Sequence, residues 1–87
     1  MDINYELYKV FYYVASTLSF SEASKQLFIS QSAVSQSIKA LEKKLDQTLF
    51  IRSTKKVRLT TEGEILLRHI EPAISLIRRG ESQLLES

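Results

Sequence analysis

Between Ser30 and Lys43 the chain sets out hydrogen-bonding side chains at helical spacing: Gln31, Ser32, Ser35, Gln36, Lys39 and Lys43. A carboxamide can reach the edge of a base, a small hydroxyl permits close approach to a polyanion, and an ammonium meets phosphate. That is the chemistry of recognition rather than of bond-making. Groups for catalysis are missing or misplaced. There is no cysteine, which removes disulfides, thiolate metal sites and thiol nucleophiles together. His69 is the only histidine. Glu62 and Glu64 flank Gly63 at a helix start, where carboxylates suit the helix dipole rather than a paired acid–base site. No glycine-rich loop is present to cradle a phosphate. No enzymatic activity, no cofactor and no metal site are expected of this chain.

Net charge is only +2 over 87 residues, but its distribution is polarised. From Lys25 to Arg58 eight basic residues (Lys25, Lys39, Lys43, Lys44, Arg52, Lys55, Lys56 and Arg58) face two acidic ones, Glu42 and Asp46. That stretch carries +6 and the flanks −4. A cationic middle fits a polyanionic partner, and charge alone fits a solvated face equally well. A hydrophobic content of 44% is enough for one small packed domain. No run approaches the ~20 apolar residues of a membrane helix. Asp2 and Glu6 stand where a secretory leader would be positive. The expectation is a cytoplasmic protein with no membrane contact.

The elements that must position these residues follow from periodicity. Leu7, Val10, Phe11, Val14 and Leu18 form one apolar stripe on a helix from about Asn4 to Leu18. Tyr5, Tyr8 and Tyr12 form an aromatic stripe beside it. Ser19 and Glu22 match a capping box, with Ser21 as the rival cap, and start a short helix to about Leu27 that buries Ala23 and Leu27. Ser30 caps a third helix to about Leu45, with Val34, Ile38, Leu41 and Leu45 on its apolar face. Two helices joined by about three residues cross steeply, as in a helix-turn-helix. After Asp46 the pattern changes: Thr48–Arg52 and Val57–Thr60 read as strands joined by a basic tip, Ser53 to Lys56. That is a wing. Thr61 and Glu64 suggest a second capping box, opening a long helix to about Leu85. Pro72 lies inside it, so a bend is expected there, and Gly80 weakens its last turns by about 1 kcal/mol.

Taken together, Ser19-Phe20-Ser21-x-Ala23-x3-Leu27, Ser30-Gln31-x-Ala33-Val34-Ser35, Leu41-Glu42-x2-Leu45, Leu49-Phe50-x-Arg52 and Leu59-Thr60-x2-Gly63 resemble the N-terminal DNA-binding domain of LysR-type transcriptional regulators. The resemblance runs from about residue 3 to 64. It implies a mainly α, winged helix-turn-helix fold over residues 1–60, and a linker helix over 61–87 that pairs with its counterpart in a homodimer. It also implies a larger effector-binding domain, absent from this chain, where a small-molecule inducer would bind. Four positions depart from the family pattern. Ser32 replaces the usual proline, Asp46 the usual helix-ending glycine, Gln36 a frequent arginine and Ser24 a usual alanine. Glutamine pairs best with adenine and arginine with guanine, so base preference at Gln36 should differ.

The expected partner is a dyad-symmetric stretch of double-stranded DNA. Gln31, Gln36 and Ser35 are the candidates for base edges. Ser21, Ser32, Lys39, Arg52, Lys55 and Lys56 are the candidates for backbone or groove contacts. Arg52 has a second reading, as the residue that holds the wing's base by pairing with a carboxylate. The long helix carries an apolar stripe too long for this chain's core to cover. Leu66, Ile70, Ile74, Ile77 and Leu84, with Tyr5, Tyr8 and Tyr12, are therefore the expected dimer interface. Two other classes stay open: a winged helix used only for protein assembly, which would bind no duplex in a salt-sensitive way, and an RNA-binding winged helix.

Overall fold

Side-chain caps start the first three helices of the computed structural model, which describes residues 2–86. Asn4 accepts the Glu6 amide at 2.8 Å ahead of α1 (Tyr5–Thr17). Ser19 accepts the Glu22 amide at 3.0 Å ahead of α2 (Phe20–Leu27), so Ser19 and not Ser21 is the cap. Ser30 accepts the Ala33 amide at 3.0 Å ahead of α3 (Gln31–Leu45). Each helix then stops at a left-handed residue, Leu18, Phe28 and Asp46, with φ of 51°, 58° and 53°. None is glycine, and a side chain there costs roughly 1–2 kcal/mol. The stop satisfies carbonyls in return: the Ile29 amide bonds Ser24 at 3.2 Å and the Gln47 amide bonds Glu42 at 3.0 Å. Leu18 was expected in the apolar stripe. As the stop of α1 it is instead 45% exposed.

Two short strands follow, β1 (Phe50–Arg52) and β2 (Val57–Leu59), paired antiparallel with Ile51 opposite Arg58. They are shorter than the sequence suggests because their outer residues bond elsewhere. The Leu49 amide goes to the Glu42 carboxylate at 2.7 Å, and Thr60 Oγ1 donates to the Thr48 carbonyl at 2.6 Å. The same hydroxyl accepts the Gly63 amide at 3.0 Å. Thr60 rather than Thr61 therefore caps α4 (Thr61–Glu86). Held by both ends of the wing, Thr60 is the better placed of the two hydroxyls. Gly63 is required by close approach: a Cβ there would collide with the Leu49 carbonyl and lie 2.8 Å from Leu59 Cδ2.

The core gathers Val10, Phe11 and Val14 from α1, Phe20 and Ala23 from α2, Val34, Ile38 and Leu41 from α3, and Leu49 and Phe50. The Phe50 ring lies 5.4 Å from Phe11 and 6.0 Å from Phe20, anchoring the wing in the helical body. Leu66, Leu67 and Ile70 of α4 pack against this core, and Ile74 is buried. Farther on, residues 75–86 are all exposed. α4 runs on through Pro72, and Arg78 ties it back to α1 by a 2.8 Å bond to the Tyr13 hydroxyl. No helix among the described residues is long and apolar enough to cross a membrane.

Candidate nucleic-acid interface

With Val34, Ile38 and Leu41 turned into the core, α3 leaves its polar side outward. Gln31, Ser32, Gln36, Lys39 and Lys43 are exposed and Ser35 is half-buried. Ser32 Oγ lies 3.2 Å from Ser30 Oγ, so the residue in the usual proline position joins the cap hydroxyl. The wing tip is closed by Ser53 and Lys56, whose amides and oxygens bond at 2.8 to 3.2 Å. That closure leaves Thr54 and Lys55 at the apex, exposed together with Lys56.

The fold brings distant parts of the sequence to one cleft of about 540 Å³. Ser19 and Ser21 come from the start of α2, Gln31 from the start of α3, and Arg52, Lys55 and Lys56 from the wing. The first-turn amides of a helix lack intrahelical partners and carry partial positive charge, which together with two lysines makes the cleft attractive to phosphate. Ser35, Lys39 and Arg52 also meet, around a smaller recess of about 70 Å³. Ser32, Gln36 and Lys43 line neither hollow; they lie on the open surface of α3.

Arg52 joins the two hollows. Its guanidinium stacks 3.8 Å from the Phe20 ring centroid, and Nη1 donates to Ser35 Oγ at 3.4 Å. In its second reading Arg52 pairs with a carboxylate; at that place stand an aromatic ring and a hydroxyl. Planar, delocalised guanidinium stacks well on such a ring, whereas an ammonium would lose the fit.

Two residues that hold the elements of the site in place carried little signal in the sequence. Glu42, an opposing charge and one position of the family pattern in the sequence, accepts the Leu49 and Phe50 amides at 2.7 and 3.3 Å and so fixes the start of the wing. A lone carboxylate on the polar side of a lysine-rich helix was the available hint. Tyr13, outside the tyrosine stripe, is the one that bonds Arg78, and its 65-residue separation from that partner leaves no local trace.

The expected dimer residues are placed unevenly. Tyr5 is 45% exposed, Tyr8 and Tyr12 are half-buried, and Leu66 and Ile70 lie partly covered against the core. Ile74 keeps only 2% of its surface and has none to offer a partner, because the chain's own packing has already covered it. Ile77 and Leu84 are exposed, as are Ile65 and Leu76 outside the expected interface.

A family model described as bacterial regulatory helix-turn-helix protein, lysR family, matches residues 5–64. This chain belongs to the LysR family. The HTH-type transcriptional regulator PerR of Escherichia coli (strain K12) is 42% identical over 74 residues, a match covering 85% of this chain and 25% of that protein. The chain thus spans about a quarter of the length of that curated relative. Among solved structures, the complex of BenM_DBD with catB site 1 DNA gives a TM-score of 0.88 at 25% identity, covering 97% of this chain and 93% of that one. A Corynebacterium glutamicum OxyR C206 mutant gives 0.90 at 30% identity, covering 100% of this chain and 28% of that one. The fold of this LysR-family chain, three helices with a two-stranded wing and a long last helix, is that of the family's DNA-binding domains. The family is one of regulators and not of enzymes.

Proposed function

We propose that this chain binds double-stranded DNA sequence-specifically, as a homodimer on a dyad-symmetric operator, and serves bacterial transcription regulation in the cytoplasm. The observation that carries this reading is the shared cleft where the start of α2, the start of α3 and the lysines of the wing converge. In this reading α3 enters the major groove. Gln31, Gln36 and Ser35 meet base edges, and Ser21, Ser32 and Lys39 meet phosphate or the groove wall. Lys55 and Lys56 follow the backbone or the minor groove.

Residues 61–87 act as the dimerisation element. The pairing surface centres on the exposed Ile65, Leu76, Ile77 and Leu84, with Tyr5, Tyr8 and Tyr12 of α1 beside it and Leu66 and Ile70 at its edge. Two recognition helices related by a two-fold axis would then meet successive major grooves. No cofactor is needed by this chain, and a small-molecule inducer would act through a further domain.

Phosphate neutralisation gives a binding constant that falls steeply with salt, by a log–log slope of about −0.9 per contact. Titrating a duplex selected from a random pool over a range of salt, against duplex RNA as competitor, tests the proposal. Selective and salt-steep binding to DNA is expected, because the narrow major groove of A-form RNA excludes a helix. Equal competition by RNA, or binding indifferent to salt, would contradict it.

A further inference from the structure

We infer that Arg52 is a positioning residue for base reading, which orients the Ser35 hydroxyl so that Ser35 acts as a hydrogen-bond donor toward the duplex. The inference rests on the reading that α3 lies in the major groove. A guanidinium has five N–H donors and no lone pair, so in the 3.4 Å contact the Ser35 oxygen must accept. Stacking on Phe20 at 3.8 Å holds the guanidinium in place. The hydroxyl proton is then left for another acceptor.

Two other helical serines spend the hydroxyl proton within the chain. Ser16 donates back to the Tyr12 carbonyl at 2.8 Å, and Ser24 donates back to Ser21 at 2.7 Å. Ser35 makes no such back-bond among the described residues. With a fixed positive charge behind its oxygen, Ser35 favours groove atoms that accept, namely guanine O6 and N7, adenine N7 or thymine O4. It disfavours the amino group of cytosine. Arg52 thereby acts on sequence preference without touching a base.

The test uses the whole chain on its selected duplex, with each base pair of a half-site replaced in turn and affinity read by fluorescence anisotropy. Wild type should discriminate about ten-fold at one base pair per half-site in favour of acceptor-bearing bases. Ser35→Ala should abolish that preference. Arg52→Lys keeps the charge but loses the stack and the fork, and should weaken the preference at that same base pair with the salt slope unchanged. The double variant should show no further loss there. Melting curves confirm folding, and Arg52→Ala provides a second variant at this exposed position.

Arg52→Lys leaving the preference intact would overturn the inference. So would Arg52→Ala weakening all duplexes evenly while reducing the salt slope by about 1, which is the mark of a phosphate contact alone. A wild-type chain with no base preference anywhere would instead bring down the underlying reading of α3, and that result is distinguishable from the other two.

Discussion

Around α3 the apolar side chains are covered and polar ones remain: Val34, Ile38 and Leu41 are buried, while Gln31, Gln36, Lys39 and Lys43 face outward. Along the far part of α4 the balance is reversed. Leu76 is 62% exposed and Leu84 78%, and every residue from 75 to 86 is exposed. One surface is unfinished in hydrogen bonds and charge, the other in apolar contact. The first suits a hydrated polyanion and the second suits protein, because burial of apolar area drives association whereas lysines and carboxamides resist it. Between them, the wing and the start of α4 are locked together at Leu49, Thr60 and Gly63.

Perturbing either region alone should leave the other intact. Leu76→Glu combined with Ile77→Glu should convert the dimer to monomer in sedimentation while leaving the melting of the body nearly unchanged. Affinity for a dyad-symmetric duplex should then fall by about 100-fold or more, as one of two linked half-sites is lost. Wild-type affinity retained by a monomer would remove the assigned role of α4. Gly63→Ala strikes the junction instead. Its new Cβ meets backbone that cannot turn aside, so a loss of about 3 kcal/mol is expected. A thermal melt followed by circular dichroism should show it as a drop of more than roughly 10 °C.

Smaller effects sharpen the contrast. Lys55→Ala with Lys56→Ala should reduce the salt slope by about 2 and weaken all duplexes alike, without altering the dimer. An altered sequence preference would instead place the wing tip at base edges. Phe28→Gly should do the reverse of harm. Phe28 is 93% exposed at a φ of 58°, so glycine relieves backbone strain and gives up little burial. A gain of about 0.5–1 kcal/mol, read as a melting point a few degrees higher with DNA affinity unchanged, is expected.

Much of this was legible in the sequence because it is local. Caps at Ser19 and Ser30, the apolar face of α3 and the basic hairpin tip each depend on residues a few positions apart, so spacing exposes them. Asp46 ends α3 in the left-handed conformation, where a short polar side chain is tolerated. Features that depend on distant partners were hidden. Thr60 displaces Thr61 as the cap because Thr48, twelve residues upstream, claims its hydroxyl. Periodicity placed Ile74 and Ile77 on one stripe, yet it does not say which of them the chain itself covers. Arg52 finds an aromatic ring in α2 and a serine in α3, partners that neither charge nor spacing announces.

The proposition that α3 reads the major groove with its carboxamides is tested most directly at Gln36, which is exposed and lines neither hollow of the fold. Bound duplexes would be selected from a random DNA pool with the wild-type chain and again with Gln36→Ala. One base pair per half-site should lose its preference for adenine, with the remaining motif unchanged. An identical motif from both selections would contradict base reading by this face of the helix.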